Sequence, residues 1–122
     1  MRQLKYKYGY LLFEGDFLNA NKWNGKGLEY DWNDNLKLEI EYLNGEKNGK
    51  GKEYYKDGQL IFEGEYLKGE RNGKGKEYWA GELIFEGEYL NGKRNGKGKE
   101  YDLETGELIF EGEYLNDEKK EK

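Results

Sequence analysis

The sequence predicts an all-β fold: a thin array of successive β-hairpins in one sheet, with no substantial helix. Three observations carry this reading. Phe13-Glu14-Gly15-Asp16-Phe17, Leu38-Glu39-Ile40-Glu41-Tyr42, Phe62-Glu63-Gly64-Glu65-Tyr66, Phe85-Glu86-Gly87-Glu88-Tyr89 and Phe110-Glu111-Gly112-Glu113-Tyr114 occupy one position in successive copies, 23 to 25 residues apart. A fixed period in this range marks a repeat array. Within a copy, Phe62, Gly64 and Tyr66 share one parity while Ile61, Glu63, Glu65 and Leu67 share the other, and period two belongs to a strand, not a helix. Finally, the Asn-Gly pairs at 44–45, 48–49, 72–73, 91–92 and 95–96 suit the positive φ angles of tight hairpins.

Taken in order, the array opens mid-unit with a half-unit at 4–12, because Gly9 precedes Phe13 by the same step that separates Gly58 from Phe62 and Gly81 from Phe85. Units follow at about 13–37, 38–61, 62–84 and 85–109, then a terminal half-unit at 110–115. The first full unit is the least regular, as terminal repeats often are. In a typical unit the strand at Phe62 leads to a turn cluster at 68–73, a second strand Lys74-Gly75-Lys76-Glu77-Tyr78, and a further turn at Ala80-Gly81. Pairing within hairpins sets Glu63 and Glu65 near Lys74 and Lys76, and Glu86 and Glu88 near Lys97 and Lys99, as a ladder of opposite charges. The glycines leave room for a neighbouring ring to lie against the backbone, so one sheet builds a shallow aromatic layer with no second sheet behind it. Residues 116–122 contain no apolar side chain and are expected to be a frayed charged tail.

Composition narrows the function. Of 122 residues, 34% are apolar and 39% charged, which suits a thin structure better than a round core. Three Trp, twelve Tyr and five Phe argue against disorder. There is neither Cys nor His, so no disulfide, thiolate metal site or catalytic triad is available, and Thr105 is the one Ser or Thr hydroxyl. The reading is therefore non-enzymatic, with no cofactor and no metal. Gly92-Lys93-Arg94-Asn95-Gly96-Lys97-Gly98 fails as a phosphate-binding loop, since three residues separate the glycines and Gly follows Lys. The net charge of −5 disfavours nucleic acid. The N-terminus carries no apolar run long enough for a signal peptide or membrane span, giving a cytoplasmic expectation.

The run Phe-Glu-Gly-Glu-Tyr-x-x-Gly-x-x-x-Gly-x-Gly, as in Phe85 to Gly98, closely resembles the MORN (membrane occupation and recognition nexus) repeat. Phe62 to Gly75 matches as well, Leu38 to Gly51 is good, and Phe13 to Gly27 is looser. Two departures stand out: Asn48, Asn72 and Asn95 where the family often has His, and Ile40 in place of the first-strand glycine. The resemblance implies an elongated, twisted single-layer antiparallel sheet with a concave groove lined by the aromatic and glycine positions. It also implies a scaffold or adaptor that binds a protein partner, as a peptide or helical segment, in that groove. Trp23, Trp32, Tyr55, Phe62, Tyr66, Trp79, Phe85 and Tyr89 are the expected partner-binding residues. The alternatives are a phospholipid-associated adaptor using Lys93, Arg94, Lys97 and Lys99, peripheral at membrane or cytoskeleton, and an architectural protein that homo-oligomerises through its terminal strands.

Overall fold

The computed structural model describes the backbone of residues 2–6, 8–19 and 22–120, and the side chains of 2–5, 8–15 and 24–120. The chain is one open antiparallel sheet whose strands lie in sequence order: β1 (Arg2–Tyr6), β2 (Gly9–Asn19), β3 (Lys22–Asp31), β4 (Leu36–Leu43), β5 (Glu46–Tyr54), β6 (Leu60–Leu67), β7 (Glu70–Trp79), β8 (Glu82–Leu90), β9 (Lys93–Tyr101), β10 (Leu108–Leu115) and β11 (Glu118–Lys119). Eleven strands at about 4.8 Å spacing make a ribbon about 48 Å long, with the native right-handed twist of any sheet. No helix occurs among the described residues.

The turns do not all fall where Asn-Gly occurs. Asn44-Gly45 and Asn91-Gly92 reverse the chain with φ of 51° and 83°, and of 51° and 86°, as a hairpin with two positive angles demands. Lys68-Gly69 and Ala80-Gly81 do the same without an asparagine. The pairs at 48–49, 72–73 and 95–96 instead lie inside β5, β7 and β9. There the glycines form bulges: β7 sets Asn72, Gly73 and Lys74 against the single residue Glu65 of β6. The Glu65 carboxylate satisfies the displaced backbone, accepting from Lys74 N at 2.7 Å; Glu41 and Glu88 accept likewise from Lys50 N at 2.9 Å and Lys97 N at 2.7 Å. Half of the expected Glu–Lys proximity is thus a carboxylate holding a bulge rather than an ion pair.

The core lies on one face. Leu11, Phe13, Phe62 and Phe85 are fully buried, with Ile40, Tyr66, Tyr89 and Tyr114 close behind. The Phe62 and Phe85 rings each fold flat beneath a pair of glycines, so that a Cβ on Gly75 would stand 2.7 Å from the Phe62 ring and one on Gly98 2.7 Å from the Phe85 ring. Edge-to-face contacts then run along the ribbon: Tyr66–Phe62 at 5.8 Å, Phe62–Tyr89 at 5.2 Å, Phe85–Tyr89 at 5.8 Å, Phe85–Tyr114 at 5.2 Å and Phe110–Tyr114 at 5.5 Å. Contacts of this kind contribute about 0.5–1.5 kcal/mol each beyond area burial.

A polar lock covers the rings of Phe62, Phe85 and Phe110. The Arg71 guanidinium stacks 3.9 Å from the Phe62 ring centre and donates from Nε and Nη2 to Glu53 at 2.9 and 3.0 Å, while Tyr66 OH donates to the same carboxylate. Arg94, Glu77 and Tyr89 repeat this over Phe85. Each lock draws on three consecutive strands, so it ties one repeat to the next. Tyr42, Glu29 and Lys47 form a looser version, with Lys47 Nζ 3.4 Å from Glu29. The expected frayed tail supplies the last lock: β11 pairs with the end of β10, and Lys119 sits 3.1 Å from Glu100 and 4.8 Å from the Phe110 ring, with Tyr114 OH donating to Glu100 at 2.6 Å.

The locks carry a pH signature. Burial alone would raise the carboxyls of Glu53 and Glu77, but hydrogen bonds from Arg71 with Tyr66, and from Arg94 with Tyr89, outweigh it and hold both below the usual carboxylate range. Their stabilisation is present above the unfolded carboxylate pKa and is lost as pH falls through the depressed folded values. At the alkaline end, burial and a hydrogen bond to Glu63 push Tyr78 up to about 12, a hydrogen bond to Glu86 and then burial push Tyr101 up to about 12, and burial with bonds to their glutamates raises Tyr66 and Tyr89 further. A raised tyrosine stabilises fully below the unfolded value and progressively less above it, so stability is expected to fall as pH rises past about 10. Tyrosinate absorbance and circular dichroism followed together should show the last tyrosines ionising only with loss of the sheet; ionisation of all twelve before unfolding would contradict the locks.

Candidate functional site

The opposite face of the sheet holds an open trough of about 1510 Å3 that crosses β3 to β10. Its floor is the backbone of a glycine row in which Gly51 pairs with Gly64, Gly75 with Gly64 and Gly87, and Gly98 with Gly87 and Gly112. With the rings folded away on the other side, the floor presents no side chain of its own at these positions. Eight strands at about 4.8 Å spacing give the trough a length of about 34 Å.

Two charged ladders flank the floor. One runs Glu39, Lys52, Glu63, Lys76, Glu86, Lys99, Glu111, each directly opposite the next. The other runs Lys26, Glu41, Lys50, Glu65, Lys74, Glu88, Lys97, Glu113, paired directly at Lys26 with Glu41, Lys50 with Glu65, Lys74 with Glu88 and Lys97 with Glu113 and through the bulge carboxylates elsewhere. Charge therefore alternates along the ribbon with a two-strand period. Most of the ammonium groups stand apart: among the described residues Lys50, Lys52, Lys74, Lys76 and Lys97 have no carboxylate within the 4.0 Å that Lys26 keeps to Glu39. Beyond the second ladder, Leu43, Leu67, Leu90 and Leu115 form a half-exposed row. Leu67 falls on the trough side because β6 alternates regularly, with Tyr66 buried and Glu65 and Leu67 exposed.

The trough is thus lined by glutamate, lysine and glycine backbone, and not by the aromatic rings that the resemblance implied. Phe62, Tyr66, Phe85 and Tyr89 lie beneath the sheet, at most 6% exposed, and a partner reaches none of them without opening the core. The physical reason is the glycine row: a ring beside two glycines gains more by lying flat against bare backbone than by standing into solvent. Trp32, Tyr55 and Trp79 are exposed at 76%, 45% and 53%, but they stand at one long edge, the first two on loops and Trp79 at the end of β7, outside the trough. The side chain of Trp23 lies outside the described residues. Lys93, Arg94, Lys97 and Lys99 do not converge either, since Arg94 is locked to Glu77 on the ring face while Lys97 and Lys99 line the trough.

The family model of the MORN repeat matches residues 41–60, 62–81 and 85–102. Residues 41–102 carry three consecutive MORN repeats. The matches at 62–81 and 85–102 open on the buried phenylalanine and close beyond the second strand, so one MORN unit is one hairpin, whose lock takes its glutamate from the unit before. The match at 41–60 leaves out Leu38 and Ile40, which stand where the other units have Phe and Gly. No curated protein matches the chain. The MORN repeat is a scaffold module, with a non-enzymatic character as a family. The ladders were legible as Glu-x-Glu and Lys-x-Lys runs; that they line the concave face was not.

Proposed function

We propose that this MORN protein is a scaffold that seats a helical segment of a partner protein lengthwise in the trough. The observation that supports it is the geometry of the trough: about 34 Å of open concave surface accommodates about 22 helical residues at 1.5 Å rise. Alternating charge one strand apart, about 4.8 Å, falls close to one helical turn of about 5.4 Å. A helix whose charged residues change sign from turn to turn meets opposite charges along both ladders, and its apolar stripe lies on the leucine row. The same alternation weakens the phospholipid reading, because each ladder lysine lies beside glutamate and the trough presents no contiguous basic patch among the described residues.

Exchanging Lys74 and Lys76 for glutamate sets six carboxylates together at the middle of the trough and leaves the core untouched. The intact protein should retain a partner from lysate of its source, cross-linked through Lys50 or Lys74, while the double variant, equally folded by circular dichroism, should lose it. Retention of the same partner by both proteins would rule the trough out as its seat.

A further inference from the structure

A second concavity, a shallow cleft of about 350 Å3, opens on the loop edge and is walled by Trp79, Ile84, Tyr101, Leu103 and Ile109. It is independent of the trough. Trp79, Leu103 and Ile109 are each about half exposed, at 53%, 47% and 59%, so the patch is contiguous apolar surface of the kind that marks an interaction site. Its one cation is occupied: Arg94 donates from Nε and Nη2 to Glu77, and from Nη1 to Glu100 at 3.5 Å.

The two chain reversals at the rim have a single sign. No Lys or Arg occurs in 77–92 or in 100–115, whereas Glu82 opens β8 and Asp102, Glu104 and Glu107 stand on the next loop; Lys119, from the tail, is already paired with Glu100. The equivalent loop one repeat earlier shows what is missing. There Lys56 follows Tyr55 and places its ammonium 5.8 Å from that ring's centre; here Ala80 follows Trp79, and among the described residues no cation lies over the indole. Trp is the best ring for a cation.

We propose that this loop edge docks a basic segment of a partner protein, with one apolar side chain in the cleft and a lysine or arginine over Trp79. Charge complementarity selects that occupant over an anionic membrane, which the acidic rim repels. The probe is a fluorescein-labelled octapeptide with a central leucine flanked by lysines and arginines, titrated into the intact chain, beside a counterpart in which every basic residue is glutamine. The basic peptide should bind saturably and shift the NMR signals of Trp79, Leu103 and Ile109, while the neutral one should not. Trp79→Ala should weaken binding roughly tenfold, and Glu104→Lys with Glu107→Lys, which alters exposed loop residues only, should weaken it comparably. Absence of saturable binding, equal binding of the neutral peptide, or shifts confined to trough residues would overturn the proposal.

Discussion

Replacing Phe85 by alanine should cost about 3–5 kcal/mol of folding stability, a large part of what a chain of this size has. Three contacts disappear together. The ring is fully buried, lies edge-to-face with Tyr89 and Tyr114, and carries the Arg94 guanidinium 4.0 Å from its centre. The layer is one residue thick, so no second sheet relaxes into the cavity, and Arg94 is left covering a void while still bound to Glu77. The same change at Phe110, only half-buried and at the end of the array, should cost about half as much. Urea denaturation of both variants checks this, and equal losses at the two positions would contradict a core whose depth varies along the ribbon.

Gly87→Ala should be nearly as damaging, at about 3 kcal/mol or more, although it adds a single methyl group. The added Cβ would stand 2.6 Å from the Lys97 carbonyl oxygen, 2.7 Å from Gly98 Cα and 2.8 Å from the Phe85 ring. Two of those atoms are backbone of the paired strand. Relief requires β8 and β9 to separate at the centre of the trough floor, and Phe85 to shift as well. Gly92→Ala is the control: nothing lies within 4 Å of its Cβ position, and only its φ of 86° opposes the change, at about 1–2 kcal/mol. Melting temperatures should separate the two by several degrees, and similar losses would mean that conformation, not close approach, explains the floor glycines.

The sequence disclosed the strands and their order because its two periods, two residues along a strand and 23 to 25 along the chain, are independent and agree. Which side curves inward was not legible. Parity separates Phe62 from Glu63 but is silent on curvature, and the aromatic set suggested a lining when its rings fold flat under Gly64 and Gly75. The Asn-Gly pairs misled for a related reason: positive φ serves a bulge as well as a turn, and Gly49, Gly73 and Gly96 at 108°, 101° and 105° serve bulges. The tail hid its role behind composition. Lys119 stands five residues after Tyr114, as Arg94 does after Tyr89 and Arg71 after Tyr66, and that spacing reveals a lock where hydropathy reveals only charge.

Because the ladders change sign at every strand, a seated segment displaced by about 4.8 Å meets like charges, whereas one displaced by about 9.6 Å regains opposite ones. The trough is in this sense a ruler with equal graduations and no marked zero. Neighbouring seats would differ little in energy, and a helix bound as proposed would advance by one repeat while most of its contacts re-form. Lengthening such an array multiplies equivalent positions without deepening any of them, so where the proposed partner would come to rest falls to the irregular units at the ends rather than to the regular ones between.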